Sequence, residues 1–199
     1  MRLAVANGAA VTCPARSRPG PRTVVHPRHV VTTLMFTDIV GSTTLLAAAG
    51  DDVWVDFLLW HDVAVRRLFH AHGGREVKHV GDGFFVVFDD PAAALFCAVA
   101  IVSLLSEPGP GRPAVPVRVG VHRAEVIQVG SDYVGRGVHE AARITALAAG
   151  GEVLASVGSL PAGADGLTRD RPRTVALRGL TDTVEIVSIA STATCGRAS

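Results

Sequence analysis

Two aspartates sit in two tight turns, each following a run that reads as a strand. Asp38 lies in Phe36-Thr37-Asp38-Ile39-Val40-Gly41-Ser42-Thr43, and Asp82 lies in Lys78-His79-Val80-Gly81-Asp82-Gly83. Carboxylates held at strand ends offer hard oxygen ligands, which suit a pair of divalent cations. Just after Asp38 the chain leaves its strand and enters a helix through Gly41, which permits close backbone approach. Free N–H groups at a helix start attract phosphate, and the Ser42 and Thr43 hydroxyls can add bonds of their own. The implied chemistry is transfer of a nucleotide's phosphoryl group. Each segment alone has a plainer reading: Asp38 or Ser42 as a helix cap, and Gly81-Asp82-Gly83 as a hairpin turn. The combination points to a site.

The elements that must position these residues alternate along the chain. Residues 30–36 are β-branched and apolar, a buried strand. Residues 51–72 predict a helix with Val53, Phe57, Trp60, Ala64 and Leu68 at helical spacing, and with Asp62 and Arg66 as an i,i+4 pair on its wet side. Gly73-Gly74 stops it. Residues 75–80 and 84–88 flank Gly81-Asp82-Gly83 as a hairpin. Residues 91–105 predict an alanine-rich helix, with Asp89 or Asp90 near its N-cap and Pro91 in the first turn. Strands follow over 115–121 and 125–129, then a helix over 138–149. Short strands close the pattern at 153–155, 174–177 and 184–189. The expected fold is α+β: a sandwich of the ferredoxin-like, palm type, with an antiparallel-rich sheet and packed helices.

This domain spans 29–190. Residues 1–28, rich in Pro and Arg, predict a flexible tail, and 191–199 carry no pattern. The 199 residues suffice for one domain with a core, and 48% are hydrophobic. No stretch is long and uncharged enough to span a bilayer. A net charge of +1 leaves no electrostatic footprint for nucleic acid or an anionic membrane. Cys13, Cys97 and Cys195 are far apart and odd in number, which favours a reducing cytoplasm over a disulfide scaffold. The apolar start at Met1 is broken at Asn7 and Gly8, so no signal peptide is expected.

From about residue 30 to 189 the chain resembles the class III adenylyl/guanylyl cyclase catalytic domain. The Asp38 segment resembles that family's first metal-aspartate motif. Glu76-Val77-Lys78-His79-Val80-Gly81-Asp82-Gly83 resembles its substrate lysine followed by its second metal aspartate. Val117-Arg118-Val119-Gly120-Val121-His122 resembles the strand after it, and Asp132-Tyr133-Val134-Gly135 with 138–144 resembles the segment of base-reading and transition-state residues. The resemblance implies that Asp38 and Asp82, with the Ile39 carbonyl, bind two Mg²⁺ or Mn²⁺ ions per site. It implies that Lys78 and Asp132 read adenine, since a lysine suits the N1 acceptor and a carboxylate suits the N6 amino group. Arg143 matches the arginine that contacts the α-phosphate in the transition state, and Arg178 falls where many members place a lysine for the terminal phosphates.

The implied activity is an adenylyl cyclase that makes 3′,5′-cyclic AMP and pyrophosphate from ATP at a homodimer interface. One chain supplies the aspartates, and the other Lys78, Asp132, His139 and Arg143. Trp54, Phe57 and Leu58 are candidate interface residues, with core packing the more common use of such side chains. Two departures stand out. His139 replaces the usual Asn four residues before Arg143, and Ala124 replaces a glycine two residues after His122. His139 leaves open an alternative, a weak or inactive cyclase-like module that binds nucleotide as a regulator. His122 reads as structural, a helix-surface salt bridge to Glu140 is the plainer alternative for Arg143, and no histidine spacing suggests a metal site.

Overall fold

A computed structural model describes residues 26–109, 112–163, 165–180 and 182–192. Cys13, Cys195 and most of both expected tails lie outside them. The β-branched run ahead of Asp38 forms β1 (Arg28–Ile39), followed by α1 (Ser42–Ala49) and α2 (Asp51–Ala71). The hairpin is β2 (Arg75–Val80) and β3 (Gly83–Phe88), and α3 (Pro91–Ser106) follows. Then come β4 (Val117–Val129), β5 (Asp132–Val134), α4 (Arg136–Leu147), β6 (Val153–Ser156), β7 (Leu167–Arg169), β8 (Arg173–Ala176) and β9 (Thr183–Ser191). Among the described residues the strands form one sheet in the order β2-β3-β1-β4-β6-β9-β7, with β5 on β4 and β8 on β9. Only the β4–β6 pairing is parallel. This is the α+β, antiparallel-rich architecture that the sequence predicts.

Alternation along the strands divides the sheet into two faces. Met35, Phe84, Val86 and Phe88, with Val117, Val119 and Val121, pack toward α2 and α3. Leu34, Phe85, Val87 and Val126 turn the other way, where Tyr133 of β5 and Ala141 of α4 complete a second cluster. Burial of each such aliphatic or phenyl side chain is worth about 1.5–3 kcal/mol, so both faces are strongly specified. The site described below lies on the α4 face.

Two of the expectations about secondary structure need correction. The two strands predicted over 115–121 and 125–129 are one strand, because β1 pairs with β4 along its whole length, from Ile39 opposite Val117 to Arg28 opposite Gln128. The core stripe of α2 is Phe57, His61, Val65 and Phe69, while Val53 is exposed and Trp60, Ala64 and Leu68 are only partly buried. Of the candidate interface residues, Phe57 is core, and Trp54 and Leu58 pack partly buried against it. Glu140 does not pair with Arg143: its carboxylate takes Arg136 Nε at 2.8 Å and His122 Nε2 at 3.1 Å. As predicted, Asp90 caps α3 by accepting from Ala92 N at 2.9 Å, with Pro91 at the first helical position.

Candidate active site

Asp38 stands near the end of β1, opposite Arg118 of β4. Directly paired residues share a face of the sheet, so the two side chains meet above it. Arg118 Nε donates to Asp38 Oδ2 at 2.8 Å, and Nη2 makes a second, shorter bond to the same oxygen. Arg118 Nη1 also donates to the carbonyl of Ala146 in α4 at 3.3 Å. Arg118 is a functional candidate to which the sequence reading gave no role. Its signal was present: a charged residue between Val117, Val119 and Val121 in a central strand must have a partner. Beyond Asp38, Gly41 takes a left-handed conformation (φ 72°) and α1 starts with no side-chain cap bond. Neither Asp38 nor Ser42 is therefore consumed as a helix cap, and Ser42 and Thr43 open α1 directly after the turn.

Asp82 is brought to the same end of the sheet. Thr37 pairs with Phe84, and Thr37 Oγ1 accepts from Phe84 N at 3.1 Å. A Cβ on Gly83 would lie 2.7 Å from the Thr37 carbonyl oxygen, so glycine is required for the turn to pass this close to β1. Asp82 Oδ2 is buried and has no hydrogen-bond partner. A buried carboxylate oxygen without a partner is costly unless something positive meets it. That orphaned oxygen, one strand away from Asp38, fits a hard cation. Among the described residues no group of three or more His, Cys, Asp and Glu side chains forms a metal cluster; the candidate here has two carboxylates, Asp38 and Asp82, with the Ile39 carbonyl.

Lys78 of β2 reaches Asp132 at the start of β5, which pairs with β4. Lys78 Nζ lies 2.7 Å from Asp132 Oδ2, and Asp132 Oδ1 accepts from Tyr133 N at 2.8 Å. The lysine holds the Asp132 carboxyl below its ordinary range, against a smaller opposing effect of desolvation. The pair is half exposed, and such pairs contribute about 0–1 kcal/mol. It stabilises the fold little and leaves both groups open to a ligand. Beside it, Phe36 stacks flat on Phe85, with ring centroids 4.4 Å apart.

The opposite wall is α4, which lies very close to β4. A Cβ on Gly120 would lie 2.2 Å from Thr145 Oγ1 and 2.6 Å from Thr145 N. A Cβ on Gly137 would lie 2.5 Å from the Ala124 methyl, so Gly137 makes room for the alanine that departs from the family pattern. Below α4, buried His122 bonds Ser156 Oγ at 2.8 Å as well as Glu140. Burial holds the His122 pKa below its ordinary value, with Glu140 opposing; its role is structural. His139 and Arg143 lie one turn apart on α4 and are exposed, with no ion pair or side-chain hydrogen bond among the described residues. Arg178 is exposed in the turn after β8.

A cleft of about 420 Å³ joins these parts. Its lining includes Asp38, Lys78, Arg118, Phe36 and Tyr133, with Val138 and Ala142 from α4. Apolar walls with a few convergent charges suit a small ligand with an aromatic ring and a charged tail. The structure thus brings Asp38, Lys78 and Asp132 together and sets Asp82 on the adjoining turn. His139, Arg143 and Arg178 face solvent outside the cleft lining.

A family model described as the adenylate and guanylate cyclase catalytic domain matches residues 24–179. An uncharacterised protein of Mycobacterium tuberculosis is 36% identical over 121 residues, covering 61% of this chain and 31% of that protein. An adenylate cyclase of Mycosarcoma maydis is 33% identical over 170 residues, covering 69% of this chain and 7% of that protein. The chain therefore spans less than a third of these relatives. An adenylate cyclase structure from Trypanosoma brucei superposes with a TM-score of 0.71 at 26% identity, over 85% of this chain and 90% of that one. The adenylyl cyclase CyaB of P. aeruginosa does so at 0.73 and 22%, over 84% and 97%, a likeness of fold.

Proposed function

We propose that this chain, which belongs to the adenylate and guanylate cyclase catalytic domain family, converts ATP into 3′,5′-cyclic AMP and pyrophosphate. The observation that carries the choice of ATP is the Lys78–Asp132 pair at the cleft, 2.7 Å apart. Lys78 donates to adenine N1, and Asp132 accepts from the N6 amino group. Guanine, with a protonated N1 and an O6 acceptor, meets the wrong charge at both positions.

Asp38 and Asp82, with the Ile39 carbonyl, hold Mg²⁺ or Mn²⁺, two per site; such cations supply Lewis-acid activation and neutralise phosphate charge. The orphaned Asp82 Oδ2 supports that fit. Backbone N–H groups from Gly41 to Thr43, with the Ser42 and Thr43 hydroxyls, hold phosphate oxygens, and Arg178 binds the terminal phosphates. The ribose 3′-hydroxyl loses its proton to water as its oxygen attacks the α-phosphorus in line; the bond from that phosphorus to the oxygen bridging the α- and β-phosphates breaks, and pyrophosphate leaves. Arg143 meets the charge that develops on the α-phosphate. His139 donates one hydrogen bond at the ribose, where the family's asparagine orients it. Arg118, released from Asp38, adds positive charge to the cleft.

The working unit is a homodimer with two equivalent sites: Asp38 and Asp82 of one chain meet Lys78, Asp132, His139 and Arg143 of the other, so the cleft face of each chain supplies the cation half of one site and the purine half of the second. The three scattered cysteines, Cys13, Cys97 and Cys195, support a reducing cytoplasm as its setting. A mixing experiment tests the whole scheme. Asp38→Ala and Arg143→Ala proteins are each expected to be inactive, and a mixture is expected to regain cyclic AMP synthesis through one intact hybrid site. A wild-type protein that makes cyclic AMP while no mixture recovers activity would overturn the shared site.

A further inference from the structure

Lys78 and its neighbour His79 point to opposite faces of β2, as alternation requires, and an irregularity in the hairpin decides which face each one takes. Arg75 pairs with Val87 and Glu76 with Val86, but Lys78 pairs with Phe85 and His79 with Phe84. Val77 is an extra residue, a β-bulge. Regular alternation would place residues 76 and 79 on opposite faces. The bulge instead places both on the α2 face, and both are held there. Glu76 receives Arg66 Nε at 2.7 Å and Nη2 at 3.2 Å. The His79 ring stacks flat on Phe84 with centroids 4.3 Å apart. Its Nε2 lies 3.4 Å from Asp62 Oδ1, and its Nδ1 lies 3.4 Å from Arg66 Nη2. With Glu76 and His79 both pinned to α2, the two residues between them are forced to the cleft face.

We propose that His79 is a positioning residue for purine selection: its seat between Phe84 and Asp62 aims Lys78 into the cleft. The inference rests on the reading that Lys78 contacts the purine. The two anchors are not equivalent. If Glu76 stays on α2 and His79 lets go, regular alternation places Val77 opposite Phe85 and Lys78 opposite Phe84, on the α2 face and away from Asp132. A one-residue slip moves a side chain to the other face of a sheet. If Glu76 lets go and His79 stays, the register set at the Gly81-Asp82-Gly83 turn keeps Lys78 opposite Phe85. If both let go, that turn register again serves Lys78. Loss of the second anchor therefore repairs loss of the first.

The experiment compares wild type, His79→Val, Glu76→Gln, the double variant, and Lys78→Ala as a reference. Two readouts are taken: cross-strand nuclear Overhauser contacts of residue 78, and the ratio of kcat/KM for ATP over GTP. In His79→Val the contact of Lys78 is expected to move from Phe85 to Phe84. The ATP preference is expected to fall about tenfold, the worth of one charge-assisted hydrogen bond. Glu76→Gln is expected to keep both, and the double variant to recover both. His79→Phe keeps the stack on Phe84 and is expected to keep the register, which guards against a folding artefact in the valine variant. An unchanged 78–85 contact in folded His79→Val, or no recovery in the double variant, overturns the proposal. Should Lys78→Ala leave the ATP preference intact, the purine role of Lys78 and with it the selectivity half of the proposal fall, while the contact readout still decides the register.

Discussion

Asp38 and Arg118 face each other across the two central strands, and two guanidinium nitrogens converge on one carboxylate oxygen. One of the two oxygens that Asp38 can offer a cation is thus held by an arginine. A cation that takes Oδ2 displaces Arg118, and the two positive groups compete for one carboxylate. Arg118→Gln is expected to lower the half-saturating Mn²⁺ concentration several-fold in calorimetric titrations, which need no turnover. It is also expected to lower kcat, because positive charge leaves the cleft. A weaker Mn²⁺ isotherm would show that Arg118 builds the cation site and does not guard it.

The Gly120 contact predicts a split between stability and activity. A methyl at this position would overlap the backbone and hydroxyl of Thr145, so Gly120→Ala must push α4 off the sheet. Overpacking of this kind costs about 1–3 kcal/mol, readable as a lower urea midpoint. α4 also carries His139 and Arg143, so kcat is expected to fall by more than tenfold under conditions where the variant remains folded. Equal activity per folded molecule would count against α4 as a catalytic element.

Two buried histidines set an acid limit. Burial lowers the pKa of His61 and of His122 below the ordinary 6.5, with Asp62 and Glu140 opposing. The unfolded chain then binds protons that the folded chain refuses. Stability from these groups is complete above about pH 6.5 and declines as pH falls below it, by at most about 1.4 kcal/mol per pH unit for each. Thermal melts between pH 7 and 5 should show this decline. His61→Phe, placed among Phe57 and Phe84, should flatten the slope. An unchanged slope would exclude His61 as a source.

The departure at His139 has a direct readout. The side chain is exposed and makes no bond within the described chain, so His139→Asn removes nothing structural. Activity is expected to be kept or raised. A large loss would show that the imidazole has taken over the task of the asparagine.

The placement of much of the candidate site was legible because its residues sit where local chemistry is strongest. Asp82 lies in its glycine turn as expected and the hairpin placed Lys78, whereas Asp38 stands within β1, just before the turn at Val40 and Gly41, because β4 pairs with it there. Helix α3 was legible from Asp90 and Pro91. Other features depend on tertiary pairing. β5 and β7 are three residues each, too short to show a period. The break expected near Arg123 and Ala124 vanished because β1 is long enough to keep β4 extended through it. The α2 stripe was misplaced by counting only apolar residues, whereas buried His61 belongs to it. The bulge at Val77 has no local signal; it follows from Arg66 and Asp62 on a different element.

The central claim is that this chain cyclises ATP, and product formation tests it most directly. Purified protein is incubated with ATP or GTP and Mn²⁺ over a pH series, and cyclic nucleotides are quantified by mass. Cyclic AMP and pyrophosphate are expected in equal amounts from ATP, with little product from GTP and none from Asp38→Ala. Cyclic GMP as the main product, or no product above the Asp38→Ala control at any pH, would contradict it.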